Sequence, residues 1–187
     1  ILDQFIETKP TAERYHLRGI AQQVLKNYPA ALSDFAASLK LKPENAHIYV
    51  NRGNIRRLQK EYDLALEDLN QAIHLNDKDA NAHYIRGLIR LEQKQLQTAV
   101  EDLTKAIQQN PQMVAAVNAR GIAYRELNQW DQALQDFNQA IKANNFVSEV
   151  FSNRAAIWEH RAQFDSAIKD YQRALELNPS SAVAHND

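Results

Sequence analysis

Only four glycines occur in the chain, and each stands 34 residues from the next: Gly19, Gly53, Gly87 and Gly121. One more step of 34 lands on Ala155. Pro43, Pro111 and Pro179 follow the same clock, 68 residues apart. A fixed period of a few tens of residues means that the chain is assembled from repeated supersecondary units, each of which buries its apolar face on its neighbours. Folding the sequence at this period gives five full units, 12–45, 46–79, 80–113, 114–147 and 148–181. Residues 1–11 read as the tail of a preceding helix, and 182–187 as the start of a further or capping helix. Both ends are therefore expected to be cut from a longer array.

Each unit reads as two helices. In the fourth, Val117, Ile122, Ala123, Tyr124 and Leu127 recur at helical spacing. After a break at Asn128-Gln129, Trp130, Ala133, Leu134, Phe137, Ala140 and Ile141 mark a second amphipathic helix. Pro29 suits a first helical turn, and Asp63, Asp131 and Asp165 place negative charge at the N-termini of later second helices. The prolines at 43, 111 and 179 close the second helix of their units. No strand signal, linker or low-complexity segment interrupts the pattern.

Small residues recur where two helices must approach closely. The first helix carries Gly19, Gly53, Gly87, Gly121 and Ala155; the second carries Ala31, Ala65, Ala99, Ala133 and Ala167, then Ser38, Ala72, Ala106, Ala140 and Ala174. Glycine within a helix costs roughly 1 kcal/mol against alanine. Since Ala155 fills the same place in the fifth unit, backbone freedom is not the reason for glycine, and close packing is. Phe35, Leu69, Leu103, Phe137 and Tyr171, with Tyr28, Tyr62, Leu96, Trp130 and Phe164, are the large residues expected to fill the gaps.

This pattern resembles the tetratricopeptide repeat family, whose unit is a 34-residue helix–turn–helix with small residues at these places and a closing proline. The resemblance spans essentially the whole chain. It implies an all-α fold, a right-handed superhelical solenoid of antiparallel helix pairs. Three units depart from the family by carrying Gln22, Arg56 and Arg90 where an aromatic is expected and where Tyr124 and Trp158 stand later. Asp77 and Asn145 replace the closing proline in two units.

A ladder of charge repeats as faithfully as the apolar positions. Arg18, Arg52, Arg86, Arg120 and Arg154 precede the small residue of each unit, and Asp34, Asp68, Asp102, Asp136 and Asp170 follow 16 residues later. Matched partners in every unit predict structural ion pairs linking the two helices, rather than a free cationic recognition stripe. The spacing leaves open whether each arginine pairs within its own unit or with the preceding one.

Signs of chemistry are sparse. With 22 basic and 23 acidic residues the formal net charge is −1, which argues against a nucleic-acid binder. Without cysteine there is no disulfide, thiolate metal site or thiol nucleophile. All glycines lie within helices, so no phosphate-cradling loop is expected, and no HExxH pattern occurs. The six histidines do not cluster at ligand spacing; His83 replaces Tyr15, Tyr49 and Phe151 in register and reads as a packed residue. No catalytic set, metal or cofactor is expected. No apolar run is long enough for membrane insertion and no signal peptide is evident. The compartment stays open, since a chain without cysteine suits either redox environment, with the cytoplasm slightly favoured.

What remains is surface. In the family, first helices line a concave groove that holds partner proteins. Carried over by register, the resemblance nominates Glu13, His16, Ile20 and Gln23; His47, Val50, Asn51, Asn54 and Arg57; Asn81, Tyr84, Ile85, Leu88 and Leu91; Asn118, Ile122 and Arg125; and Glu149, Ser152, Asn153, Ala156 and Glu159. The asparagines suit the backbone of an extended peptide, because an amide offers both donor and acceptor. Val50, Tyr84, Leu88 and Ile122 would supply apolar contact. Chaperone-binding members grip a terminal carboxylate with lysines, asparagines and an arginine; here those places hold His16, Asn81 and Ile85, and only Asn51 fits. The expected function is a non-catalytic scaffold that binds a peptide or helix of a partner protein. The alternatives are a positioning module of a larger enzyme or secretion component, and self-association through exposed repeat ends.

Overall fold

The computed structural model describes residues 10–179. The readings of 1–9 and 182–187 as flanking helices lie outside the described residues. Ten helices and no strands occur in the described part. They alternate in length between 13 and 14 residues: α1 Ala12–Val24, α2 Tyr28–Leu41, α3 Ala46–Leu58, α4 Tyr62–Leu75, α5 Ala80–Glu92, α6 Leu96–Gln109, α7 Val114–Glu126, α8 Trp130–Ala143, α9 Ser148–His160 and α10 Phe164–Leu177.

The turn inside every unit is the same device. Lys26, Lys60, Lys94, Asn128 and Ala162 each adopt a left-handed conformation, with φ between 55° and 62°. Around each, two backbone bonds close the first helix. At the first turn the Asn27 amide donates to the Gln22 carbonyl and the Lys26 amide to that of Gln23; at the last, Gln163 donates to Trp158 and Ala162 to Glu159. This double closure satisfies carbonyls that the helix end leaves without partners, and it usually falls to glycine. The second helix of a unit ends differently. Asn76, Asn110 and Asn144 fold their side-chain oxygens onto the amides of Lys78, Gln112 and Phe146. Such a turn needs no proline, which explains why Asp77 and Asn145 are tolerated where other units carry one.

The chain divides into two compact units, residues 1–89 and 90–187, with α5 running through the division. In the first, Phe35, Ala31 and Leu39 pack with Ile48 and Ile55. Ala65, Leu69 and Ala72 pack with Val50, Ala82, Ile85 and Ile89. In the second, Leu103, Val117, Phe137, Val150 and Ile157 are fully or almost fully buried. Each such side chain contributes about 1.5–3 kcal/mol on removal from water.

Glycine is required by this packing at Gly19 and Gly121. A Cβ built on Gly19 would lie 2.6 Å from Phe35 Cε1, and one on Gly121 would lie 2.6 Å from Phe137 Cε1. Opposite Leu69 the crowding is milder, 3.1 Å to Cγ from a Cβ on Gly53. In the last hairpin the small residue is Ala155 and its counterpart Tyr171 is 37 % exposed, with Phe164 at 61 %. These two were expected to fill gaps like their register equivalents, but no described element covers that face of α10.

Candidate functional site

The charge ladder sits at the heart of four of the hairpins. Arg18, Arg52, Arg120 and Arg154 each grip an aspartate 16 residues on, through Nε and Nη2, at 2.6–2.9 Å. The carboxylates Asp34, Asp68, Asp136 and Asp170 are buried, with side chains at most 9 % exposed. Two parallel bonds from a planar guanidinium are the strong form of this contact. The hydrogen bonds to Asp68 and Asp136 raise the pKa of Arg52 and Arg120 above the ordinary arginine value, against the opposing effect of burial. Arg86 and Asp102 fall one in each unit of the chain.

Each arginine has a further bond available, and in three cases it reaches backward. Nη1 of Arg86, Arg120 and Arg154 donates to Asn70, Thr104 and Asn138, each 16 residues earlier. The arginines at 120 and 154 thus hold a carboxylate of their own repeat and a neutral oxygen of the preceding one. The register position three residues after the small residue supplies further donors, whether arginine or tryptophan stands there. Arg56 Nη1 lies 2.9 Å from Asp68, Arg90 Nη1 lies 2.9 Å from Asp102, and Trp158 Nε1 donates to Asp170 at 3.1 Å.

The groove candidates gather in separate places. In the first unit, Val50, Asn51, Asn54, Arg57, Asn81, Tyr84, Ile85 and Leu88 line one cavity of ≈ 340 Å³. Val50 and Ile85 have their side chains in the core and stay 6 % and 7 % exposed, so Tyr84 and Leu88 offer the apolar surface there. Arg57 donates to Asn54 Oδ1, at 3.4 Å from Nε. Asn51 Nδ2 lies 3.4 Å from His16 Nε2. Burial, then the neighbouring His47, lowers the His16 pKa below the ordinary histidine value, which favours the neutral ring. His47 is exposed, with Nδ1 3.5 Å from Asp79.

In the second unit, Asn118, Ile122, Ser152 and Asn153 line a larger cavity of ≈ 610 Å³. Its far wall comes from a second helix, through Tyr171, Ala174 and Leu175, which a reading confined to first helices passes over. Asn153 stands at the centre of a bonded row, accepting from Arg125 at 3.1 Å and donating to Asn118 at 3.2 Å. The Tyr171 hydroxyl donates to Glu159, and its pKa is raised, chiefly by burial and then by that bond. Arg125 also borders an open cleft of ≈ 530 Å³ where the Trp130 and His160 rings stack at 3.9 Å. Among the described residues, no three His, Asp or Glu side chains converge as a metal-ligand set, and no helix is long and apolar enough to cross a membrane.

These features define a class, an all-α helical solenoid with side-chain-lined grooves. Comparison with known proteins gives the family. Models described as tetratricopeptide repeat match residues 90–157 and 148–181, and one described as TPR repeat matches 53–94. The chain belongs to the tetratricopeptide repeat family. Comparison with curated protein sequences gives no match. Among solved structures it is similar to MamA, with 22 % identity, a TM-score of 0.76, and coverage of 88 % of this chain and 96 % of that one. It is also similar to PilF of Pseudomonas aeruginosa, at 18 % identity and a TM-score of 0.83, covering 89 % and 76 %. A third is YrrB, a TPR protein with an unusual peptide-binding site, at 18 % identity and 0.74, covering 95 % and 92 %. At these identities the likeness speaks for the fold alone.

Proposed function

We propose that this chain is a non-catalytic scaffold that holds a segment of a partner protein in its grooves. The observation that carries this reading is the lining of the two cavities. Each joins side-chain amides, Asn51 and Asn54 in one and Asn118 and Asn153 in the other, to apolar surface from Tyr84 and Leu88 or from Ile122 and Leu175. Amides suit main-chain groups and apolar walls suit side chains, which is the division of labour an extended peptide requires. The test is a displayed-peptide selection, with internal sequences and free C-termini, on the native chain and on a variant with Asn51→Ala, Tyr84→Ala and Asn118→Ala. A motif enriched by the native chain and lost by the folded variant supports the reading. The absence of any motif counts against it.

A second reading, self-association through repeat ends, is favoured by one observation. Phe164, Ile168 and Leu175 on α10 and Leu17, Val24 and Leu25 at α1 are all exposed. Exposed apolar faces at the ends of a repeat array are the surfaces that capping elements normally cover. Light scattering tests it: a mass that rises with concentration supports stacking, and a constant monomer mass rejects it.

A further inference from the structure

The bonds joining Arg125, Asn153 and Asn118 have only one sense. A guanidinium offers donors and no acceptor, so the Asn153 atom 3.1 Å from Arg125 Nη1 is its oxygen. The amide nitrogen of Asn153 then faces Asn118, which must present its own oxygen, 3.2 Å away. Asn118 is left with its NH₂ group, and no described residue accepts a bond from it. The orientation of both amides, normally ambiguous, is thus dictated by the fixed charge at the start of the row.

The same row recurs 102 residues earlier without its director. Asn51 and His16 occupy the register places of Asn153 and Asn118, and Asn51 Nδ2 lies 3.4 Å from His16 Nε2. The place of Arg125 is taken by Gln23. Glutamine both donates and accepts, so it imposes no direction. Polarity is therefore set by Arg125 in the second unit alone.

We propose that this relay makes Asn118 a fixed donor that selects a neutral acceptor, a main-chain carbonyl of an extended peptide, and makes Arg125 the positioning residue that sets the selection. It rests on the groove-binding reading above and adds the chemistry of the group read there. Glu149 lines the same cavity; its carboxylate repels an anionic acceptor, so a peptide carbonyl is preferred to a terminal carboxylate. Ile122, Ala174 and Leu175 give the cavity an apolar wall, which seats an aliphatic side chain adjoining that carbonyl.

The test uses the full chain, labelled for side-chain amide NMR, with two probes: N-acetyl-leucine N-methylamide and the free acid N-acetyl-leucine. The expected result is a saturable shift of the Asn118 side-chain amide with the first probe, and about fivefold weaker binding of the second, the scale of one hydrogen bond. Arg125→Glu accepts from Asn153, turns both amides over, and presents the Asn118 oxygen to the groove; its affinity for the amide probe falls by about fivefold. Arg125→Lys keeps a donor and keeps the response. Backbone spectra of both variants report that they are folded. Equal binding of both probes overturns the proposal, as does an unchanged Asn118 response in Arg125→Glu. The two failures separate cleanly: if the amide probe enters the cavity but is insensitive to residue 125, only the relay falls. If neither probe shifts any signal from the cavity wall, the groove reading falls in this unit and the relay's ligand falls with it.

Discussion

Arg120 and Asp136 face each other through two parallel hydrogen bonds of 2.9 and 2.8 Å, and the same guanidinium reaches Thr104 in the preceding repeat at 3.1 Å. One side chain thereby ties its own hairpin together and the hairpin to its neighbour. The sequence presents the arginine–aspartate spacing openly, but the backward contact is less visible, because its acceptors are neutral and vary between asparagine and threonine.

Breaking this pair from one side should be costly. Asp136 is buried, and removing Arg120 leaves a carboxylate without its partner, a loss of about 3–5 kcal/mol. We expect Arg120→Ala and Asp136→Ala to destabilise by this much each, and the double variant by clearly less than their sum. Urea unfolding of the three variants measures it. Strictly additive losses would exclude direct coupling.

The Trp158 bond to Asp170 predicts that Trp158→Phe costs about 1.5–3 kcal/mol, the range for a hydrogen bond to a charged group. The ring packing is largely kept, so the loss reports the Nε1 donor. An unfolding midpoint equal to that of the parent chain would show that Asp170 is satisfied by Arg154 alone.

Ala162 occupies a left-handed conformation, φ 55°, that costs an L-residue roughly 1–2 kcal/mol. Ala162→Gly removes the Cβ and is expected to stabilise the protein by about 0.5–1 kcal/mol after the greater freedom of glycine in the unfolded chain is counted. The same change at Asn128, a residue that visits this region readily, should gain less. Thermal unfolding compares them; equal gains would contradict the strain argument.

Gly121→Ala sets two effects against each other. Helix propensity favours alanine by roughly 1 kcal/mol, but the new Cβ would meet the buried Phe137 ring at 2.6 Å. Overpacking of about 1–3 kcal/mol should prevail, giving a net loss that Phe137→Leu in the same chain partly relieves. A stabilised single variant would contradict this account.

His16 predicts a pH dependence with a definite sign. Burial and His47 lower its folded pKa, so the unfolded chain binds the proton more readily. The stability it contributes is present above the ordinary histidine value of roughly 6.5. It is lost as pH falls from there through the lower folded value. Melting temperature should therefore fall over that interval, and His16→Gln should flatten the slope. An unchanged slope would place the dependence elsewhere.

Much of the architecture was legible because the repeat writes it five times. The glycine clock, the alanine positions and the closing prolines located hairpins that the helix boundaries match within a few residues. The intra-unit turn was visible only as a break at Asn128-Gln129. Lysine at three of its five left-handed positions carries no turn signal, since the backbone bonds around it and not its side chain make the turn. Arg56 and Arg90 read as departures from an aromatic position; their second role, as further donors to buried aspartates, depends on a distance that spacing does not give. Several first-helix positions nominated by register line the two cavities, while Tyr171 and Leu175 were missed because α10 lacks the described neighbour that covers its register equivalents.

The central claim is that the amide-lined groove binds a peptide, and the most direct measurement is the affinity of one selected peptide for three chains: the parent, Asn118→Ala in the groove, and Gln135→Ala on the exposed face of α8. The account predicts a loss of about five- to tenfold for Asn118→Ala and parent affinity for Gln135→Ala. Parent affinity in Asn118→Ala, or an equal loss in both, would contradict it.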